Sequence, residues 1–548
     1  MLIVMIKSRF ICISICLAVA AAADGKESDL RKFINSEIQK GRKTITIRPG
    51  RYRIKPIKRQ HLLLSGLNGV TINAQGVEII CTETTRALML YNCRNVTIKG
   101  LTIDYDPLPY TQGKIVKISP DGRTHDIQLF DGYAQEGNIS LHKYEIFSAK
   151  TRTLVMGSYY GCKLTKLGKG KIRVLKPDRY KDQPEKVGDI IAAGCANAPG
   201  GSIPHAVMLD RCSNVILEGM TLYRSNCFGF YETGCNASVY VNCVVDRRPA
   251  ATDFKKRQSP RIRSLNADAY HSKYAKIGPS YLQCKARFMG DDCVAINGDY
   301  HLIASAAGNT LRVIAKRRMN IDKGDKVEFL AFQGVRPSGA KVVSIRADGA
   351  ATSADEALIK KLRLHPAFKE HQHGALTKVY MIVLDRAVRL KPASLVCSAN
   401  RIGNGFKVIG CRMGENRSRG IIVKAGNGLI SGNTMDGCRM QSILLSPEFY
   451  WLEAGAGDNV LIKDNIIRNS GAVSIKIDAV AGNGKASSPG AHRSITITGN
   501  RMENCRTPQI YAASTDGLII KGNVIVENGK PVKSDDSIRT GNSVNVKR

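Results

Sequence analysis

Tryptophan occurs once in the 548 residues, as Trp451, and aromatic side chains of all kinds make up only 6%. Any flat indole platform for a ligand ring therefore has one possible source. No segment after residue 23 holds 18 apolar residues in a row, which excludes a transmembrane helix. Acidic residues are in deficit, 46 against 82 Lys and Arg, giving a net charge of +36. Yet there is no zinc-finger spacing, no basic helix with heptads and no aromatic RNA-binding signature, so no nucleic-acid partner is expected. The basic surface fits either plain solubility or attraction to an anionic glycan or cell envelope.

What is present is a globular composition, 43% hydrophobic and 23% charged, in a chain long enough for more than one domain. Glycine is abundant at 51 residues and recurs beside Asn, a bias toward turn-rich β structure. The N-terminus has the form of an export signal: Lys7 and Arg9, an apolar run from Phe10 to Val19, then small residues Ala20 to Ala23 before Asp24. Export to the periplasm, cell surface or medium is expected. Of 16 cysteines, 14 remain beyond Cys12 and Cys16. Cys93, Cys212, Cys243, Cys284, Cys411 and Cys438 sit in similar phrases, such as Asn92-Cys93-Arg94-Asn95-Val96 and Arg211-Cys212-Ser213-Asn214-Val215. Cysteine at one repeated position behaves as a small buried apolar residue, so mostly free, stacked thiols are expected.

Those phrases belong to a repeat. Asn95-Val96-Thr97-Ile98-Lys99-Gly100-Leu101-Thr102-Ile103 returns as Asn214-Val215-Ile216-Leu217-Glu218-Gly219-Met220-Thr221-Leu222 and as Asn459-Val460-Leu461-Ile462-Lys463-Asp464-Asn465-Ile466-Ile467. Two further copies start near Ser494 and Gly517. Each is a pair of short alternating strands around a Gly/Asn bend, in which every second residue can be buried. One unit cannot cover its own apolar face, but a stack can. The spacing of 23 residues from Ile495 to Leu518 suits one solenoid turn. The fold class expected is all-β, a right-handed parallel β-helix.

Two stretches break the repeat, 111–200 and 300–397. Both are strand-rich, and both carry a Gly-Asp pair before a strand, Gly188-Asp189 and Gly324-Asp325. Each is expected to be a small inserted antiparallel β domain, barrel-like in form. The chain then divides into a leader (1–23), an amphipathic cap helix at Ser28 to Gly41 with the first coils (24–110), the first insertion (111–200), coils with clustered acids (201–299), the second insertion (300–397) and C-terminal coils (398–548).

The acids are Asp268 in Asn266-Ala267-Asp268 and the pair Asp291-Asp292 in Met289-Gly290-Asp291-Asp292-Cys293, 23 residues on. If a turn takes about 20–25 residues, all three meet on one patch, about one strand spacing apart. In a regular strand the adjacent pair would point to opposite faces and bury one charge, so the pair is expected at a strand end or bend. Clustered carboxylates suit acid/base cleavage of a glycosidic bond; a calcium site or a surface Asp ladder is the alternative.

Asn266-Ala267-Asp268 with Gly290-Asp291-Asp292-Cys293 resembles the motif pair of the polygalacturonases, glycoside hydrolase family 28, whose Gly-His-Gly triplet is absent. A broader resemblance, over roughly Thr44 to Asn528, is to glycoside hydrolase family 110, the exo-acting α-1,3-galactosidases. It is carried by Ile103-Asp104-Tyr105-Asp106-Pro107-Leu108-Pro109-Tyr110, Asp268-Ala269-Tyr270-His271-Ser272, Arg419-Gly420-Ile421-Ile422-Val423-Lys424 and Ser446-Pro447-Glu448-Phe449-Tyr450-Trp451-Leu452-Glu453. The resemblance implies a β-helix with inserted β domains, a galactose-terminated glycan as substrate, inversion at the anomeric carbon and no metal or other cofactor. It implies catalytic roles for Asp268, Asp291 and Asp292; the polygalacturonase likeness makes Asp291 the acid and the other two the holders of water, though the roles within the trio can be permuted.

His271, three residues past Asp268, is placed to bond a sugar hydroxyl, tune an aspartate or serve structure alone. Arg419, Lys424, Glu448 and Glu453 are candidate substrate ligands, and Trp451 a stacking platform or a packing residue. Asp104 and Asp106 lie in a Pro-rich turn, where turn formation is an equal alternative. Two other functions stay open at this point: a lyase acting on an acidic glycan, which would need calcium and an Arg or Lys base, and a non-catalytic glycan-binding solenoid.

Overall fold

The computed structural model describes residues 24–25, 27–135, 139–195, 204–532 and 535–548; the apolar leader lies outside them. Three long sheets, of 13, 12 and 12 strands, run the length of the molecule, and successive coils add one strand to each. Pairing is parallel almost throughout, as in Tyr270↔Val294 and Val294↔Ile421. This is the expected parallel β-helix.

The repeated phrase explains the coil. Thr97–Lys99 and Thr102–Tyr105 are two strands of one turn. Asn95 and Gly100 at their ends adopt φ of 51° and 78°, backbone that Asn and Gly tolerate and β-branched residues do not. Side chains repeat the stacking of the backbone. Asn214 Nδ2 donates to Asn95 Oδ1 at 3.1 Å, and Asn95 Nδ2 to Asn68 Oδ1 at 3.2 Å. An Asn column, with Asn433, Asn465 and Asn500 buried and Asn523 half-buried at its end, is linked by amide-to-amide hydrogen bonds of 2.9, 2.8 and 2.9 Å.

The core is one continuous apolar column from Leu30 to Ile525. Its N-terminal end is closed by the helix Glu27–Gln39, which buries Leu30 and Ile34. Every cysteine from Cys81 to Cys505 is free. The backbone N–H groups of Cys93 and Cys212 each meet the sulfur of the next rung, Cys212 and Cys235, at 3.4 Å. These thiols fill the column as small apolar groups.

The first insertion is a seven-stranded antiparallel sheet, from Tyr110–Ile118 to Ile190–Cys195. The second closes a six-stranded antiparallel barrel, from His301–Ala307 to Leu395–Ser398. The barrel also carries a helix, Ser353–Lys361, which the strand-rich reading of this stretch did not foresee. It starts at a capping box in which Thr352 and Asp355 exchange side-chain and backbone hydrogen bonds. The basic segment 247–263 ties the first insertion to the coils. Arg261 and Arg248 converge on fully buried Asp104 at 2.9 Å, Lys255 and Arg53 hold Asp106, and Arg263 reaches Glu145 at 2.8 Å. Asp104 and Asp106 are thus ion-pair anchors.

Candidate active site

Parallel register places the acids. Tyr270, Val294 and Ile421 are direct neighbours on three successive rungs. Counting two residues back from each gives Asp268, Asp292 and Arg419, so these stand in one column along the helix axis. The backbone agrees: Ala269 N–H donates to Asp292 O at 3.0 Å, and Cys293 N–H to Arg419 O at 3.1 Å. The same column continues upward through Phe228 and His205, whose rings stack at 4.7 Å. Asp291 and Asp292 lie in the bend before the strand Val294–Asp299, outside any regular strand. Gly290 lets that bend close, because a Cβ there would stand 2.7 Å from Asn266 O and 3.1 Å from the Glu145 carboxylate.

One oxygen from each of Asp268, Asp291 and Asp292 lies within 4.8 Å of the others. Each acid has its own partner. Asp268 accepts a hydrogen bond from His271 Nδ1 at 2.7 Å and another from the Asp292 amide at 3.3 Å. Asp292 accepts from both the backbone N–H and Nη1 of Arg419, each at 2.8 Å. Asp291 pairs with Arg417 Nη2 at 2.6 Å. Asp268 and Asp292 side chains are 7% exposed and Asp291 is 26% exposed, so Asp291 is the acid most open to solvent.

The imidazole of His271 is kept neutral. Burial drives its pKa down to about 4, and the charge on Lys273 adds to the effect. The Asn297 amide donates to its Nε2 at 3.3 Å, which places the proton on Nδ1, facing Asp268. The pKa of Arg419 is raised, first by the charge of Asp292.

Beside the acids lies a layer of alternating charge. Lys424 Nζ reaches Glu453 at 2.8 Å and Glu448 at 3.4 Å. Lys316, from the barrel, donates to Asp299 at 2.8 Å and to Leu452 O at 3.0 Å. Burial lowers the Lys316 pKa to about 8, while for Glu453 the three nearby lysines outweigh burial and hold its pKa well below the usual range. Glu448 and Glu453 are brought together by the tight loop they bracket, through reciprocal backbone hydrogen bonds of 2.9 Å. Trp451 at the tip of that loop stacks on His365 of the barrel, centroids 3.8 Å apart, and remains 39% exposed.

A cavity of about 400 Å³ gathers these groups. Asp268, His271, Asp291, Asp292, Arg419, Glu448, Trp451 and Glu453 all line it. Lys424 does not; it is 1% exposed and holds the two glutamates that do. Sequence reasoning missed Arg417, Lys273, Phe228 and Tyr231. Arg417 follows Asn416 in the same motif region as Arg419 and was within reach of a closer reading. Lys316 and Arg317 come from the second insertion, and no local pattern marks them. The arrangement pairs carboxylates at two levels of solvent access with a neutral imidazole, which is equipment for moving a proton and orienting water.

No family model matches the chain. It is 22% identical over 519 residues to an alpha-1,3-galactosidase B of Phocaeicola vulgatus, covering 86% of this chain and 80% of that one. It is 24% identical over 511 residues to an alpha-1,3-galactosidase B of Parabacteroides distasonis, with 86% and 77% covered. Among solved structures, a family 28 exopolygalacturonase of Yersinia enterocolitica aligns with a TM-score of 0.38 at 10% identity, over 92% of this chain and 72% of that one. The A-module of a mannuronan C-5 epimerase of Azotobacter vinelandii aligns with the same score at 9% identity, over 96% and 94%. Along most of its length, the chain is similar in sequence to proteins named alpha-1,3-galactosidase.

Proposed function

We propose that this protein is an exported glycoside hydrolase that removes terminal α-1,3-linked galactose from a glycan with inversion. The observation that carries the reading is the convergence of Asp268, Asp291 and Asp292 within 4.8 Å in a lined cavity. The likeness to the galactosidases supplies the substrate class.

In this reading Asp291 protonates the leaving oxygen. It is the acid most open to solvent, with two other carboxylates beside it. Arg417 pairs with it, so the acid role requires the guanidinium to turn from Asp291 as substrate enters. Asp268 and Asp292 hold and deprotonate the water, with His271 and Arg419 fixing their orientation. Trp451 offers a ring face to the sugar, and Glu448 and Glu453 accept from its hydroxyls.

Inversion follows the resemblance to family 110 and not the spacing. Inverting pairs usually stand about 6.5–9.5 Å apart and retaining pairs about 5–5.5 Å. The carboxylate oxygens here, within 4.8 Å, fall nearer the second range. The experiment is proton NMR of the products from a panel of α-galactosides. The proposal expects β-galactose to appear first from the α-1,3 substrate. First appearance of α-galactose would overturn inversion, and no release from any α-galactoside would overturn the function.

A further inference from the structure

The larger cavity is not the one that holds the acids. A groove of about 700 Å³ opens beside the acid-lined cavity, against about 400 Å³ for the latter, and the two share Arg419, Ile422 and Glu448 as a common wall. The groove therefore continues the cleft toward the C-terminal coils.

One register column runs from the acid cavity into the groove. His271, Ala295, Ile422, Leu444 and Lys476 are register neighbours on five successive rungs. Ala295, Ile422 and Leu444 form an apolar cluster of their own, separate from the core inside the coil. The strip is only 3%, 3% and 9% exposed, and its Ile422 and Leu444 line the groove. The column starts beside the acids and ends at Lys476, which pairs with Asp478 at 2.7 Å.

The loop between the two cavities divides its aromatics between them. Trp451 lines the acid cavity and Tyr450 lines the groove, their rings 85° apart. Tyr450 is 43% exposed, and Val480, which also lines the groove, is 40% exposed. Apolar floor and exposed ring together suit the mixed polar and apolar faces of a sugar.

We propose that this groove is the leaving-group subsite, receiving the saccharide chain from which the terminal galactose is cut, laid over Ile422 and Leu444 and against Tyr450. The proposal rests on the hydrolase reading above. It fixes a direction: the terminal sugar sits by Glu453 and Trp451, and the rest of the chain extends toward the strand Ile475–Ile477. The greater volume on the leaving side fits a chain better than a small alcohol. Binding energy collected there acts on the reacting centre, as remote contacts do in other enzymes.

The test compares two substrates on the full chain: a galactose-terminated oligosaccharide and a simple aryl α-galactoside, which has no chain to place. Tyr450→Ala removes the wall and Val480→Trp fills the groove; both positions are exposed, and unchanged melting temperatures verify folding. The ratio of kcat/KM for the oligosaccharide over the aryl galactoside is expected to fall by about tenfold or more in each variant. Wild-type protein that cleaves both substrates, with variants that leave the ratio unmoved, overturns the subsite alone. Wild-type protein that cleaves neither overturns the hydrolase reading and the subsite with it.

Discussion

His271 shows how one side chain ties the candidate site together. It is buried, neutral and locked by Asn297 at one nitrogen and Asp268 at the other. Replacing it by Leu removes the donor that holds a nearly buried carboxylate in place. A misplaced acid of this kind costs about 10²-fold in kcat/KM, and steady-state kinetics on an α-galactoside would read it. A wild-type rate in His271→Leu would assign the residue to structure alone. At this scale the sequence was informative where residues share a column. Asp268 and Asp292 are 24 positions apart and meet because one turn separates them. Lys316 was illegible because it reaches Asp299 across the barrel junction, where no repeat fixes the register.

The Asn column is the element on which coil stacking most visibly depends. Asn465 is fully buried; it accepts from the backbone and side-chain amides of Asn433, and donates to Ile430 O and Asn500 Oδ1. Asn465→Leu leaves several of those groups unpaired at once, at about 1–3 kcal/mol each. Asn523, half-buried at the end of the column, has fewer partners to strand. Urea unfolding should show a loss of about 3 kcal/mol or more for Asn465→Leu and about 1 kcal/mol for Asn523→Leu. Equal losses would mean the ladder is incidental. The strand pairs themselves were readable, since the Asn-Val-x-Ile phrase has the period and the bend residues of a coil. The helix Ser353–Lys361 was not, because its capping signal uses Asp355 in place of Glu or Gln and lies within a strand-rich stretch.

Across the molecule, buried histidines set a common pH response. The pKa values of His205 and His271 are pushed down to about 3 and about 4, chiefly by burial, and those of His301 and His492 move the same way. The folded state therefore refuses protons that the unfolded chain accepts below the usual histidine value of 6.5. Stability is fully present above that value and is lost as pH falls from 6.5 toward 4. Melting temperatures should drop steadily across that window, and a flat profile would contradict the assignment of these rings as neutral. The coiled architecture was legible because its repeat survives interruption: Asn95 and Asn214 are hydrogen-bonded neighbours although 119 positions separate them. What a local pattern could not supply was the pairing of Asp291 with Arg417 and of Asp292 with Arg419 on the following coil, since the second insertion lies between them. The account stands or falls on the acid trio, and its most direct test is the rate of galactose release from a terminal α-1,3-galactoside by Asp291→Asn beside the wild type. The account predicts release by the wild type and a loss of about 10²- to 10⁴-fold in the variant, with folding intact; galactose released by Asp291→Asn at the wild-type rate would contradict it.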